Sequence, residues 1–296
     1  MFNSLRVTSA CAVAAATLAL AVPVQAARVG AYHIFPTASY IARTGRVPHL
    51  DAGPMLYYGG SVFSSAKVVS VMWGSEVNST IVAGIPGFSA AIVNSTYVDQ
   101  MSQYDTFLKG VNGRHGTKQH IMRGEFLGQV QIKPKNKSTS LTDDDIQKEI
   151  KQQIKKGVLP ANDLNTLYMI YFPQDVTITL DGLTSCHDFG AYHFATNDTK
   201  MVENNVFYTV EPDCHSSFGS ITFAASHEYA EATTDNIPTP GSFPDFPQAW
   251  NTSDGFEIAD LCSNNGQLVA GSTHYTVTQY YLNTTGHCST GNYSSP

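Results

Sequence analysis

Runs of alternating or continuous apolar residues along the chain predict β-strands separated by polar segments. Residues 167–172 form a continuous apolar run that ends at Pro173, which cannot donate to a sheet ladder. Residues 268–282 have the pattern of a hairpin. Single strands are predicted at residues 65–73, 126–132, 167–172 and 206–210.

Three segments have helical patterns instead. In 142–156, isoleucine recurs at every fourth position, Thr142 can cap the start and three aspartates follow at the positive end. Gly157 then stops this helix. A second helix is predicted at 87–103 and a third, buried one at 220–235. Because strands and helices alternate, we predict an α+β (mixed α/β) fold in which a mixed sheet packs against the buried helix.

The N-terminal residues have the pattern of an export signal. Arg6 gives a basic start, residues 11–24 form an apolar core too short for a membrane span, and residues 24–26 offer a small-residue cleavage site. We predict a signal peptide at 1–26 and therefore a secreted chain, extracellular or periplasmic. Residues 27–53 have no clear period and are predicted as an extended arm or short pro-segment. Residues 54–296 are predicted to be a single secreted α+β domain.

Composition and charge exclude some partners. Apolar residues make up 42% of the 296-residue chain, which is enough for a core, whereas charged residues make up only 14%. The net charge of −7 argues against nucleic acid or an anionic membrane surface as a partner. After the signal no apolar run reaches membrane length, so no stable membrane insertion is expected. The oligomeric state stays open.

The even number of cysteines in the mature chain predicts two disulfides. Their order along the chain favours Cys186–Cys214 and Cys262–Cys288, although the other two pairings stay open. A zinc–thiolate site is the alternative, but no C-x-x-C spacing occurs.

The helix predicted at 220–235, SITFAASHEYAEATTD, carries the clearest chemical motif. His227 and Glu231 are four residues apart and share one helix face, and Glu228 lies about 100° around the helix from His227. This is the zincin-like arrangement His-Glu-x-x-His with glutamate in place of the second histidine. His227 and Glu231 are therefore candidate zinc ligands, and Glu228 is a candidate general base. The alternative is a structural cluster of one histidine and two carboxylates on a buried helix.

A third ligand is expected from a second element. In zinc proteases with a glutamate third ligand, that glutamate follows the helix motif at a sequence distance comparable to the one between Glu231 and Glu257. A nearby aspartate orients the first histidine. We therefore predict Glu257 as the third ligand and Asp260 as its supporting residue, with the two roles exchangeable. Asp235 is the other candidate, unless it only caps the helix end. Zinc is the expected cofactor, and another divalent ion is the alternative, because glutamate in place of histidine adds negative charge, weakens Lewis acidity and shifts the preference toward harder ions.

Two other residues are considered for the same site. His193 is a candidate to contact the substrate or an oxyanion, or else forms hydrogen bonds within a loop. Ser226 precedes His227 but lies in no Gly-x-Ser-x-Gly elbow, which argues against a serine hydrolase.

Several blocks of the chain resemble the phosphate-induced protein 1 family, also called EXORDIUM-like. They are YYGGSVFSSAKVVSVMWG, CHDFGAYHF, SHEYAEATTDNI and GFEIADLC. The family is extracellular, is associated in plants with cell-wall growth responses and has no settled catalytic activity. The resemblance thus implies secretion and a shared fold but not an enzyme.

Two classes of function follow. The first is a secreted zincin-like metallohydrolase, a peptidase acting on a peptide or another extracellular polymer through a metal-activated water. The second is a non-catalytic secreted or wall-associated protein whose polar cluster is structural or binds metal without turnover.

Overall fold

The computed structural model describes residues 34–45, 53–196, 205–238 and 244–291. They form an α+β architecture with a mixed sheet and two disulfides, which confirms the predicted fold class at that level. The predicted signal peptide, 1–26, lies outside the described residues, as do parts of the predicted arm at 27–33 and 46–52.

The described strands include the predicted ones and several short ones that the sequence pattern missed. In chain order they are β1 (Ile34–Pro36), β2 (Leu56–Tyr57), β3 (Ser65–Trp73), β4 (Met122–Ile132), β5 (Ser140–Thr142), β6 (Thr166–Phe172), β7 (Thr177–Leu180), β8 (Leu183–Thr184), β9 (Phe189–Ala195), β10 (Phe207–Pro212), β11 (Trp250–Asn251), β12 (Asn265–Ala270), β13 (Thr273–Thr278), β14 (Tyr280–Leu282) and β15 (His287–Ser289).

The helices of the described ranges follow the same order. They are α1 (Ala38–Thr44), α2 (Ser79–Val93), α3 (Thr96–Asp99), α4 (Asp143–Lys155) and α5 (Phe218–Thr234), and a 3-10 turn at Gln100–Tyr104 follows α3.

Six strands form the central sheet in the spatial order β1-β9-β10-β6-β3-β4. β10, β6, β3 and β4 run parallel to one another, whereas β9 is antiparallel to both β10 and β1. The remaining described strands form small two- and three-stranded sheets around it.

Side chains alternate between the two faces of the central sheet. In β6, Leu167, Met169 and Tyr171 belong to the core under α2 and α5, while the residues between them belong to the core under α4. In β9, Tyr192 and Phe194 face the α4 side. Because strand side chains alternate, His193 points to the α5 side.

The prediction for α4 is confirmed almost to the residue. Thr142 caps the helix through a reciprocal capping box with Asp145, and Gly157 follows the helix with φ 70°. These local signals set the start and the end of the helix, while its buried isoleucines pack in the core on that face of the sheet.

The prediction for α2 was wrong in its bounds. A helix was expected at 87–103, but α2 spans Ser79–Val93 and contains Pro86. Proline has no N–H to donate to the carbonyl of Val82, one turn earlier. The side-chain amide of Gln129 on β4 donates to that carbonyl at 3.2 Å instead. A contact from a distant strand thus compensates for the missing bond.

Two glycines of α2 allow close packing against the elements around α5. A Cβ at Gly84 would lie 2.4 Å from the ring of Phe218, and one at Gly87 would lie 2.6 Å from the hydroxyl of Tyr275. A larger residue at either position would require the side chain of Phe218 or Tyr275 to shift.

α5 is buried along nearly its whole length from Ile221 onwards. It packs on β9 and β10 on one side and on the β12–β13 hairpin on the other. The hairpin is fixed to it by hydrogen bonds, since Thr222 donates to the carbonyl of Thr276 at 2.8 Å and Thr278 N–H donates to Ser226 Oγ at 2.8 Å. The helix therefore lies in the interior, where polar residues need specific partners.

Both disulfides predicted from cysteine order are present. Cys186–Cys214 joins the start of β9 to the segment before α5, and Cys262–Cys288 joins the loop after β11 to β15. Such bonds indicate folding in an oxidising compartment.

Among the described residues, no single helix is long and apolar enough to span a membrane. Ser79–Val93 and Thr96–Tyr104 together reach that length and hydropathy, but they are bent by 43° at the break between them. Most of their large apolar side chains lie in the core.

Candidate metal-binding site

α5 brings His227 and Glu231 together one turn apart. His227 Nε2 lies 3.0 Å from Glu231 Oε1 and 3.8 Å from Asp260 Oδ1. The His227–Glu231 contact lacks hydrogen-bond alignment, and the buried Nε2 has no hydrogen-bond partner in the described structure. A buried imidazole nitrogen that faces two carboxylate oxygens is in the position of a metal ligand.

His193 reaches the same helix from β9. Its Nδ1 lies 3.1 Å from Glu228 Oε2 and 3.9 Å from Glu231 Oε2. Its Nε2 lies 3.1 Å from the carbonyl oxygen of Asp235 and 3.5 Å from Glu257 Oε1. His193 is therefore in the middle of the carboxylate cluster, on a strand rather than in a loop.

The loop after β11 supplies Glu257 and Asp260. The N–H of Asp260 donates to Glu231 Oε1 at 3.1 Å, and the N–H of Glu257 donates to Asp260 Oδ2 at 3.1 Å. Tyr281 N–H donates to the carbonyl of Ile258 at 2.8 Å, which fixes the loop on β14. The nearby Cys262–Cys288 bond closes the loop from the other side.

Two groups of ligand atoms result, and they share Glu231. His227, Glu231 and Asp260 form one, and His193, Glu231 and Glu257 form the other, with the atoms of each group within 4.8 Å of one another. The predicted ligands His227, Glu231 and Glu257 are thus divided between the groups. Asp260, which we placed as supporting residue or alternative ligand, lies with His227.

Asp235 has a structural position. Its carboxylate accepts hydrogen bonds from Ala249 N–H at 3.0 Å and from the Asn251 amide at 2.6 Å. Its backbone also ends α5, where its N–H donates to the carbonyl of Glu231 at 2.7 Å. It belongs to neither group of ligand atoms and ties the loop before β11 to the helix.

Glu211 on β10 is a buried carboxylate near the site that the sequence analysis missed. Its Oε1 accepts a hydrogen bond from Thr209 at 2.7 Å. Burial raises its pKa well above the usual range, and the negative charge of Glu228 adds to this. The predicted strand ended at residue 210. If the strand had been extended by one residue, the alternation of its side chains would have placed Glu211 on the face toward α5, beside Thr209.

The electrostatics of the cluster reflect burial and crowding of like charge. Burial raises the pKa of Glu231 well above the usual range, and the charges of Asp260, Glu257 and Glu228 act in the same direction. Burial also raises the pKa of Glu228. Burial alone would lower the pKa of His193, but Glu257 and Glu228 outweigh it and raise that pKa well above 6.5.

The cluster is closed to solvent. The side chains of His193, His227, Glu228, Glu231 and Glu257 are at most 3% exposed. Its ion pairs within the described residues involve histidine and neither lysine nor arginine. Carboxylates buried in this way must be protonated or balanced by a cation, since an unpaired buried charge is costly.

Phe35 covers one side of the site. This half-buried side chain of β1 lies with its ring centroid 4.8 Å from that of His227 and 5.6 Å from that of Phe223. β1 is itself held on β9, and Thr37 Oγ1 donates to the carbonyl of His187 at 2.6 Å. Part of the segment predicted as an arm or pro-segment thus packs against the candidate ligand.

The donor set fits a divalent cation. Imidazole nitrogen and carboxylate oxygen are both normal zinc ligands, and sets rich in carboxylate also accept harder ions such as Mn²⁺. Searches of protein-family models, curated proteins and solved structures find no match to this chain. The resemblance to the phosphate-induced protein 1 family therefore rests on its sequence blocks alone and stays a prediction.

Proposed function

We propose that the protein is a secreted metal-dependent hydrolase of the zincin-like type. Its metal ion is held by His227, Glu231 and Asp260. The observation that carries this proposal is the buried His227 Nε2, which has no hydrogen-bond partner and lies 3.0 Å from Glu231 Oε1 and 3.8 Å from Asp260 Oδ1.

A divalent ion in this position would supply Lewis acidity and a water of lowered pKa. The protein's own base is Glu228, which follows His227 on α5. Its Oε2 is held by His193 at 3.1 Å, while its buried Oε1 has no hydrogen-bond partner. Because burial raises the pKa of Glu228, its carboxylate is a stronger base than an exposed glutamate. Asp260 is held through its Oδ2 by Glu257 N–H, which leaves Oδ1 facing His227.

The substrate class in this proposal is a peptide or another extracellular polymer. The predicted signal peptide is the reason for this choice, and two disulfides are consistent with a chain that works outside the reducing cytosol. Phe35 lies against His227, so in this proposal β1 has to move for a polymer to approach that side of the site.

Burial supports a second candidate function, a secreted protein that holds metal without turnover. The side chain of His227 is 3% exposed and that of Glu228 is fully buried. In that case the same ligands are structural, and the EXORDIUM-like resemblance requires no chemistry.

One set of variants separates the two functions. Glu228→Gln should keep the fold and the metal but lose hydrolysis of a mixed peptide library by about 10²–10⁴-fold, because the base is gone and the ligands remain. His227→Ala should lose metal and activity together. The matched control is Glu149→Gln, a buried glutamate of α4 that bonds Lys135 N–H and Gln153, and it should hydrolyse like wild type.

The hydrolase proposal is wrong if metal-loaded wild type cleaves nothing in the library, in which case the non-catalytic function stands. A Glu228→Gln variant with wild-type turnover would contradict the assignment of the base.

A further inference from the structure

The carboxylate of Glu231 faces a different histidine with each of its oxygens. Oε1 lies 3.0 Å from His227 Nε2, and Oε2 lies 3.9 Å from His193 Nδ1. Each histidine also faces a second carboxylate. For His227 this is Asp260, which approaches the same Nε2 atom, and for His193 it is Glu257, which approaches the other ring nitrogen, Nε2. Glu231 is thus the common member of two ligand groups.

The spacing of the donor atoms suits metal coordination in both groups. Ligand atoms around a tetrahedral ion with bonds of about 2.0–2.1 Å are about 3.3 Å apart. The separations within the His227 group are 3.0 and 3.8 Å. In the His193 group, the 3.9 Å to Glu231 is measured from Nδ1 and the 3.5 Å to Glu257 from Nε2, and one ion can bind only one of these nitrogens. One donor atom from each of His193, Glu231 and Glu257 nonetheless lies within 4.8 Å of the other two, which is the spacing of a candidate ion site.

Charge is the argument for more than one ion. Glu228, Glu231, Glu257 and Asp260 carry four negative charges when ionised, and none of these side chains is more than 10% exposed. A second divalent ion would balance the two charges that a single ion leaves, which protons or an imidazolium at His193 would otherwise have to balance. Burying unbalanced charge costs several kcal/mol per ion in proteins, at order-of-magnitude level.

Two buried polar atoms without hydrogen-bond partners also indicate missing ligands. One is His227 Nε2, which belongs to the first group. The other is Oε1 of Glu228, whose Oε2 is hydrogen-bonded to His193 of the second group. Buried polar atoms are nearly always satisfied in folded proteins, so such a pair at one site requires an explanation.

We propose that this site is a dinuclear metal centre in which Glu231 bridges two divalent cations. One ion is held by His227 and Asp260, and the other by His193 and Glu257. The first ion is that of the proposed function, so the inference rests on that function and adds the second ion. The bound ions are first-row divalent cations, which accept nitrogen and oxygen donors. Zn²⁺ and Mn²⁺ are the ions to be used in the test.

A centre with one ion is the competing arrangement. In it, His193 is a protonated imidazolium that donates from Nδ1 to Glu228 and from Nε2 to the carbonyl of Asp235, both at 3.1 Å. In the dinuclear centre, one of these nitrogens binds the second ion and the other keeps its N–H. The number of bound ions therefore distinguishes the two arrangements.

The experiment counts ions and detects their coupling. Purified wild-type protein is loaded with Zn²⁺ or Mn²⁺, freed of excess ion and analysed for metal per chain. We expect two ions per wild-type chain and one per His193→Gln chain. The control His187→Gln changes a histidine whose side chain is 65% exposed and should keep both ions. The Mn²⁺ form should give the spin resonance spectrum of an exchange-coupled pair, since ions sharing a carboxylate are about 3.5–4 Å apart.

One ion per wild-type chain, with the spectrum of an isolated Mn²⁺, would overturn the dinuclear centre and leave the proposed function in place. No ion at all would overturn both. Glu257→Gln gives a second route if His193→Gln fails to fold, and it should also reduce the count to one. The spectrum of the Mn²⁺-loaded wild type tests the coupled pair of ions even if neither variant folds.

Discussion

Three buried carboxylates of the described structure, those of Asp143, Asp235 and Glu231, are stabilised in different ways. Asp143 accepts hydrogen bonds from the hydroxyls of Tyr192 and Tyr208, both at 2.7 Å. Asp235 accepts from a backbone N–H and a side-chain amide. Glu231 instead has other carboxylates and two histidines around it, which is why a cation, rather than hydrogen bonding, is expected there.

The pH dependence of stability tests the protonation state of Asp143, a buried carboxylate outside the candidate metal-binding site. Burial raises the pKa of Asp143, more than its tyrosine hydrogen bonds lower it, so the folded state favours the protonated form. The stabilisation is therefore complete below the unfolded pKa near 3.8 and is lost as pH rises through the folded pKa. Asp143→Asn, which stays neutral, should gain stability relative to wild type as pH rises from 4 to 7.

Urea unfolding at the two pH values measures this difference. Asp144→Asn is the matched control, since Asp144 is the exposed neighbour on the same helix turn. A difference between Asp143→Asn and wild type that stays constant with pH would mean that Asp143 is ionised in the folded state without cost.

Among the elements, those with local signals were predicted well. The capping box and isoleucine repeat made α4 recognisable from the sequence alone. α2 was misplaced because Pro86 and two glycines resemble a break, and only the contacts of Gln129 and of the α5 region explain them. β9 was missed, and with it the central position of His193, because its pairing with β10 and its contact with α5 join distant parts of the chain.

β1 covers one side of the site, because Phe35 lies against His227, and we expect this strand to limit access to the metal. Phe35→Ala should speed the loss of bound metal to a chelator severalfold while lowering stability by roughly 1–2 kcal/mol, since the lost side chain is only half-buried. Stopped-flow chelation by a coloured ligand measures the rate. Phe107→Ala is the control, because that phenylalanine is 66% exposed. An unchanged rate in Phe35→Ala would show that the metal leaves by another path.

The disulfides offer a matched pair of elements to compare. They span 28 and 26 residues, so chain entropy gives each about 3.5 kcal/mol of stabilisation. Replacing either pair by alanine should cost a similar amount in denaturant unfolding. The metal affinity should fall more without Cys262–Cys288, whose loop carries Asp260, than without Cys186–Cys214. Equal affinities would mean that the backbone bonds of the loop suffice to hold Asp260.

At the scale of the whole molecule, the site exists only in the folded chain. Its ligands come from β9, from α5 and from the loop after β11, which are far apart in sequence. The residue types and the helical spacing on α5 could be read from the sequence, but the assembly of two ligand groups around Glu231 could not. A ligand that binds only the folded state stabilises it by mass action.

Metal removal should therefore destabilise the protein. At a free ion concentration of 100 times Kd, binding contributes about 2.7 kcal/mol, so chelation should lower the thermal midpoint by several degrees. Calorimetry with and without chelator measures the change. His227→Ala should show a low midpoint in both conditions, and a chelator effect of wild-type size in this variant would assign the metal to other residues.

Elemental analysis of purified mature protein, dialysed against metal-free buffer, tests the central claim most directly. We expect at least one divalent first-row ion per wild-type chain and a reduced content in His227→Ala, because Nε2 of His227 faces Glu231 and Asp260 without a hydrogen bond. Wild-type protein that is folded, has no free thiols and contains no ion even after incubation with Zn²⁺ or Mn²⁺ would contradict it.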